Sequence, residues 1–86
     1  MAPTDFAPLL LRRPFEPFRI VTSDGRNYDI RHPEMVMAGF TSAVIGYPNP
    51  EVPGTILRYD IVSMLHIVRL GPLPATTGVQ GKGNAS

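Results

Sequence analysis

Two histidines and a few nearby carboxylates are the residues of this chain whose types and spacing could support metal or acid–base chemistry. His32 and Glu34 are two residues apart in the run RHPE, and Asp24 or Asp29 could add a further ligand. Protein metal sites normally need three or four ligands, and the only other histidine, His66, lies in an apolar segment. We therefore predict that His32 is a strand-end residue bonded to nearby backbone and that His66 is a structural histidine whose hydrogen bonds are satisfied. No metal or cofactor is expected.

This sequence offers no set of residues suited to nucleophilic catalysis. The chain has no Cys, which excludes a thiol nucleophile, a CxxC redox pair and a thiolate zinc site. The segment Asp24-Gly25-Arg26 consists of turn-forming residues. Nothing near it supplies the paired acids or the nucleophile–base pair that catalysis requires. We therefore predict that the protein is not an enzyme.

Three aromatic residues and three arginines lie between positions 15 and 31, and such a set could bind single-stranded nucleic acid because bases stack on aromatic rings beside cations. However, Phe18 and Tyr28 fall on the core side of a predicted β-hairpin, so core packing is favoured. Segment 14–70 holds five basic and six acidic residues, and it lacks the basic surface that is typical of nucleic-acid binders. The candidate contacts to a partner or a nucleic acid are Arg12, Arg13, Arg26, Arg31 and His32.

The elements that must position these residues begin with a short N-terminal helix. Asp5 is a favoured N-cap residue, and we predict a helix from there to about Arg12. Pro8 would lie in the first turn, where its missing N–H costs little. Pro14 prevents the helix from continuing. The apolar side of this helix consists of Phe6, Leu9 and Leu10.

A β-hairpin over residues 18–31 is the clearest element in the sequence. Alternating apolar residues flank Ser23-Asp24-Gly25. A two-residue turn would place Ile20 opposite an aspartate, whereas a three-residue loop keeps one side of the hairpin apolar. The longer loop needs a left-handed residue at its third position, which Gly25 supplies. We therefore predict a type I turn with a bulge at Gly25, and the opposed pairs are then Ile20–Tyr28 and Phe18–Ile30.

Four further strands complete the predicted domain. We expect them at 35–38, 43–47, 55–59 and 64–70, with the loop PNPEVPG between the second and third. Asp60 would cap a single helical turn over 61–63. Many short strands in so short a segment, with a helical turn before the last one, are typical of SH3-like and Sm-like barrels. The predicted fold is mainly β, a small five- to six-stranded SH3-like or Sm-like barrel with a short N-terminal helix.

The 86 residues are enough for one domain. We divide the chain into an N-terminal segment with the helix (1–13), the barrel domain (14–71) and a C-terminal tail (72–86). The tail is rich in Gly, Pro, Ala and Thr, so we predict that it is flexible. The sequence begins without a secretory signal pattern. It also has no apolar run near the ~20 residues that span a membrane, and we expect a cytoplasmic protein with no membrane partner.

The segment from Ile61 to Leu70 is apolar at both of its alternating sets of positions. Strands that are apolar on both sides are normally covered on both sides. The N-terminal helix could cover one side, and so could a second copy of the chain. The tandem Met35-Val36-Met37 favours the same idea. We therefore predict that the protein self-associates, with a homo-oligomer or another protein as its partner.

Two resemblances accompany these predictions. The motifs RPFEPFRI (13–20), DGR (24–26) and HPE (32–34) resemble a family of uncharacterised short bacterial proteins, and this resemblance implies a small stand-alone β domain with no assigned activity. Residues 59–64, YDIVSM, are similar to the last Sm motif. The Arg-Gly pair that Sm proteins use for RNA is absent here. The likeness to Sm proteins therefore bears on fold and ring-like assembly more than on RNA binding.

Two functional hypotheses follow from these observations. The leading one is a non-enzymatic small β-barrel that acts as a binding or assembly module and self-associates. The alternative is an Sm-like RNA-binding protein, in which an oligomeric ring gathers arginines that one chain holds apart.

Overall fold

A computed structural model describes residues 1–73 of the chain. These residues form a mainly β fold with one short helix, as the sequence predicts, and the strands make two antiparallel sheets. The tail predicted for 72–86 lies outside the described residues from position 74 onward. In chain order the elements are α1 (Pro3–Leu10), β1 (Phe18–Thr22), β2 (Asn27–Ile30), a first 3₁₀ turn (Pro33–Met35), β3 (Val36–Ala38), β4 (Ser42–Pro48), β5 (Ile56–Ser63), a second 3₁₀ turn (Met64–His66) and β6 (Ile67–Pro72).

The strands are divided equally between the two sheets. The first sheet has the order β2-β1-β6, and the second has the order β3-β4-β5. No ladder joins the two sheets within residues 1–73, so the strands of that segment do not close into a barrel. The mainly β class is therefore confirmed, whereas the strand pairing does not establish the predicted SH3-like or Sm-like barrel.

The hairpin of β1 and β2 has the predicted register. Ile20 lies opposite Tyr28, and Phe18 lies opposite Ile30. The N–H of Gly25 donates to the carbonyl of Thr22 at 3.0 Å, and Gly25 has a φ of 87°. This φ lies in the left-handed region, which glycine adopts without steric cost. The three-residue loop with Gly25 at its third position is confirmed.

The helix α1 begins earlier than the sequence predicts. Its N-cap is Ala2, and Asp5 lies in the first turn, where its carboxylate accepts a hydrogen bond from the Ala2 N–H at 2.9 Å. An acidic residue at this position satisfies a free amide and faces the positive end of the helix dipole, so it marks a helix start as well as a cap does. Pro8 is consequently inside the helix and not in its first turn. No helix within residues 1–73 is long and apolar enough to cross a membrane.

The last predicted strand, 64–70, is only partly confirmed, because β6 begins at Ile67, and the helical turn predicted for 61–63 is misplaced. β5 continues through Ser63, so Asp60 is a residue within a strand and does not cap a turn. The helical turn falls on Met64–His66, where the Ser63 hydroxyl accepts a hydrogen bond from the Leu65 N–H at 3.2 Å. Segment 61–70 therefore combines the end of β5 with β6, which lie in different sheets. Pairing with β4 lengthens β5, and this effect of tertiary structure is invisible in the local sequence.

One buried cluster joins the helix and both sheets. Its fully buried large side chains are Phe6 of α1, Ile20 and Ile30 of the hairpin, and Ile45 of β4. The N-terminal amine of Met1 also donates a hydrogen bond to the carbonyl of Met64 at 3.3 Å. The helix therefore packs on its own domain through Phe6.

Candidate functional site

The second sheet turns an apolar side toward solvent, and this side is the main candidate for a functional surface. Side chains alternate between the two sides of a sheet, and Val36 and Ile45 are buried in the core. On the opposite side, the strand register aligns Met37, Val44 and Ile61 in one row across β3, β4 and β5.

Two further residues of β5, Leu57 and Tyr59, extend this row along the strand. We call the set the outer face, and it consists of Met37, Val44, Leu57, Tyr59 and Ile61. Met37 is 73 % exposed, Tyr59 58 % and Ile61 64 %. Contiguous apolar patches on a protein surface mark sites of interaction, because removing such side chains from water is favourable. The outer face can therefore bind another apolar surface.

β5 turns apolar residues to solvent and charged residues toward the core side of the sheet. Leu57, Tyr59 and Ile61 lie on the solvent side, while Arg58 and Asp60 lie on the side that carries the core residues of β4. A strand of a monomeric domain normally places its apolar set inward and its polar set outward. The arrangement of β5 departs from this pattern.

The inward polar residues of β5 form a small cluster with β4. The Tyr47 hydroxyl donates a hydrogen bond to Asp60 at 2.7 Å. The Arg58 guanidinium lies 3.5 Å from Asp60 and 4.0 Å from the centre of the Tyr47 ring. Burial of the phenol, together with its hydrogen bond to Asp60, raises the pKa of Tyr47 to about 12. This cluster fixes the register of β5 on β4 and leaves the Arg58 side chain 62 % exposed.

An open cleft of about 390 Å³ lies between the hairpin loop and the end of β5. The Ser23 hydroxyl lies 3.2 Å from Nδ1 of His66, and the Ser23 N–H donates to the His66 carbonyl at 2.7 Å. A serine beside an imidazole can form a nucleophile–base pair when a third group orients the base. Among residues 1–73, no carboxylate contacts His66 by a hydrogen bond or an ion pair. We interpret the pair as a link between the hairpin loop and the second 3₁₀ turn.

The sequence predicts His66 as a satisfied structural histidine in an apolar strand; its contact with Ser23 fits that role, but its position is not in a strand. Its side chain is exposed, because it belongs to the second 3₁₀ turn and not to a strand. The contact with Ser23 spans 43 positions of the sequence, so no local pattern could have revealed it.

The structure disperses the residues predicted as contacts to a partner or a nucleic acid. Arg26 precedes β2 and Arg31 follows it, so they lie at opposite ends of that strand. Each has an acidic neighbour, since Arg26 lies 3.4 Å from Asp24 and Arg31 lies 4.0 Å from Asp29. An arginine beside a carboxylate contributes little to a positive surface potential.

The other three predicted contacts lie elsewhere on the chain. Arg12 pairs with Glu16 at 2.9 Å, and Arg13 donates to the backbone carbonyl of Leu10 at 3.2 Å. His32 is exposed and precedes the first 3₁₀ turn, where its carbonyl accepts a hydrogen bond from the Met35 N–H at 3.1 Å. No group of three or more His, Asp or Glu residues in the described part of the chain could hold a metal ion.

Comparison of this chain with protein-family models, with curated proteins and with solved structures finds no match. The resemblances to short bacterial proteins and to Sm proteins therefore stay predictions. The outer face and the reversed pattern of β5 are the features that bear on function.

Proposed function

We propose that this protein is a non-enzymatic binding or assembly module that self-associates through its outer face. The observation that carries the proposal is the reversed pattern of β5, in which Leu57, Tyr59 and Ile61 face solvent while Arg58 and Asp60 face inward. A one-residue shift of β5 would exchange the two sets, but Val62 in the core and the bond from Tyr47 to Asp60 oppose that shift. Covering the outer face then removes apolar surface from water without rearranging the domain.

The finer description of the fold belongs to the same proposal. An SH3-like or Sm-like architecture is supported by the position of β6 beside β1 and by the 3₁₀ turn that directly precedes this last strand. A cytoplasmic location is likewise proposed. The alternative, an RNA-binding ring, has weaker support because its candidate arginines are dispersed and three of them have acidic neighbours.

The test is light scattering coupled to size-exclusion chromatography over a concentration series, with absorbance at 260 and 280 nm recorded on the same peak. The parent chain should elute at a multiple of 9.4 kDa. Ile61→Lys adds a charge to the outer face on β5 and should shift the protein to the monomer. Because Ile61 is 64 % exposed, this change should leave the unfolding free energy within about 0.5 kcal/mol of the parent value.

Val68→Lys is the matched control. Val68 is 58 % exposed on β6, in the other sheet, so its substitution should leave the mass unchanged. A parent chain that stays monomeric at high micromolar concentration would refute self-association. A peak rich in 260 nm absorbance, which also shows salt-sensitive gel shifts, would favour the RNA-binding alternative.

A further inference from the structure

β5 is an edge strand with no neighbour on one side. The second sheet has the order β3-β4-β5, so one side of β5 has unpaired backbone N–H and C=O groups within the described chain. Proteins usually protect such edges with Pro, bulges or charged side chains, including inward-pointing ones of the kind that Arg58 and Asp60 provide in β5. The irregularity in β5 lies near its start, opposite Tyr47 and Pro48, which leaves residues 58–63 regular and without Pro, Gly or Lys.

The hydrogen bonds of the β4–β5 ladder show which groups of β5 point to the free edge. The Met64 N–H donates to the carbonyl of Thr41 at 2.8 Å, one step beyond the opposed pair Ser42–Ser63. Hydrogen-bonded and non-bonded pairs alternate in an antiparallel ladder. Residues 58, 60 and 62 therefore bond to β4, and residues 59, 61 and 63 direct their backbone groups to the free edge.

This alternation restricts how two copies of β5 could pair around a two-fold axis. A residue whose backbone groups point to the free edge must lie opposite another such residue in the second copy. An axis between two adjacent residues would instead oppose an edge-facing residue and one that bonds to β4, so the axis must pass through a single residue. Within the regular part of β5, an axis at Arg58 places Arg58 opposite itself, and an axis at Asp60 places Asp60 opposite itself. Both arrangements oppose like charges, which destabilises the pair. An axis at Ile61 leaves Asp60 opposite the apolar Val62.

An axis at Tyr59 is the arrangement that pairs opposite charges. It places Arg58 of each copy opposite Asp60 of the other, within the regular part of the strand. The two charged side chains are able to reach across, because Arg58 is 62 % and Asp60 34 % exposed in the single chain. The charges of Arg58 and Asp60 therefore disfavour the neighbouring registers and favour this one. They make the edge selective for the β5 strand of a second copy.

We propose that two copies of this chain join through β5 as an antiparallel pair with Tyr59 opposite Tyr59, forming one six-stranded sheet. This inference rests on the proposed function and specifies its partner, a second copy of the chain. The two outer faces then continue across the joint as one larger apolar surface. A two-fold contact of this kind closes on itself, so edge pairing joins two copies of 9.4 kDa each, and further copies would cover the shared outer face of that pair.

Single-cysteine variants of the full chain test this register directly, since the protein has no Cys of its own. Directly opposed residues of a hydrogen-bonded pair have Cα atoms ~5.5 Å apart, within the range that a disulfide bridges. Tyr59→Cys should therefore form a disulfide-linked dimer under mild oxidation. Ile61→Cys is the matched control on the same side of the same strand. Its two copies would be separated by four residues, about 13 Å, and should not cross-link to each other.

A charge-reversal pair tests the same register without oxidation. Arg58→Asp places like charges opposite each other and should weaken the dimer at least tenfold. The double variant Arg58→Asp with Asp60→Arg restores opposite charges and should recover much of the affinity, while circular dichroism checks that both variants are folded.

The possible failures are distinguishable. A monomeric parent chain refutes both the proposed function and this dimer. An oligomer in which Tyr59→Cys does not cross-link, or in which Ile61→Cys cross-links instead, overturns the register and leaves self-association standing.

Discussion

Tyr47 and Asp60 are joined by a hydrogen bond of 2.7 Å between neighbouring strands, on the inward side of the second sheet. The bond satisfies a carboxylate on the side of β5 that also carries the core residue Val62. It therefore helps to explain why β5 keeps its polar set inward and its apolar set toward solvent. The relationship also gives the protein a measurable response to alkaline pH.

The first prediction concerns Tyr47, whose pKa burial and the bond to Asp60 raise to about 12. A group with a raised pKa in the folded state contributes stability below its unfolded value, here 10.0, and this contribution is lost as the pH rises toward 12. The unfolding free energy should therefore fall between pH 10 and 12, and less steeply in Tyr47→Phe. At pH 7, Tyr47→Phe should cost about 1 kcal/mol. Ultraviolet difference titration of parent and variant isolates this phenol, with the exposed Tyr59→Phe as control.

The second prediction concerns Gly25, whose φ of 87° requires the left-handed conformation. No atom lies within 4 Å of the position that a Cβ would occupy, so a substitution there costs backbone strain alone. Gly25→Val should lower the unfolding free energy by about 1–2 kcal/mol, as measured by urea denaturation. Gly25→Asn should cost less, because Asn tolerates this conformation. Equal losses for the two variants would contradict the proposed cause.

The third prediction concerns Phe6, which anchors α1 in the shared core and has 0 % of its surface exposed. Phe6→Ala should cost about 3–5 kcal/mol, which is comparable to the whole stability of many domains. Leu11→Ala, at the exposed end of the helix, should cost little. Thermal unfolding by circular dichroism compares the two. A small loss for Phe6→Ala would mean that the helix does not pack on its own domain.

The fourth prediction concerns Asp24 in the hairpin loop. The Thr22 hydroxyl donates a hydrogen bond to its carboxylate, and this bond lowers the pKa of Asp24 below its ordinary value of 3.8. A lowered pKa gives a contribution to stability that is present above pH 3.8 and is lost as the pH falls through the folded value. Carboxyl NMR titration should show the lowered pKa in the parent and in Thr22→Ser. In Thr22→Val the pKa should return toward 3.8.

The hairpin could be predicted in full from the sequence because its constraints are local. Its register follows from keeping Ile20 and Phe18 on one side, and its loop type follows from the single glycine at position 25. The boundaries of later elements could not be predicted in the same way. Asp60 favours a cap by its local propensity, yet it lies within β5 because pairing with β4 extends that strand through Ser63.

The candidate surface was only partly predictable. Met37 and Ile61 belong to the apolar segments from which the sequence predicts self-association, and the structure places both on the outer face. The exposure of Leu57 and Tyr59 was not predictable, because a strand that alternates apolar and charged residues normally turns its apolar set inward. Here the inward side carries Arg58 and Asp60, and that reversal depends on the contacts that Tyr47 makes with both residues.

Alternation and turn chemistry are enough to predict the mainly β class, the short helix and the register of the first hairpin, because they act between residues that are near each other in the chain. Pairing between distant strands sets which side of β5 faces solvent, where the last helical turn lies and which strand forms the free edge. Those outcomes depend on pairing between residues such as Val44 and Ile61, whose separation along the chain leaves no local signal. The absence of catalytic machinery predicted from the sequence stays a prediction. The proposals on function rest on the outer face and the free edge of β5.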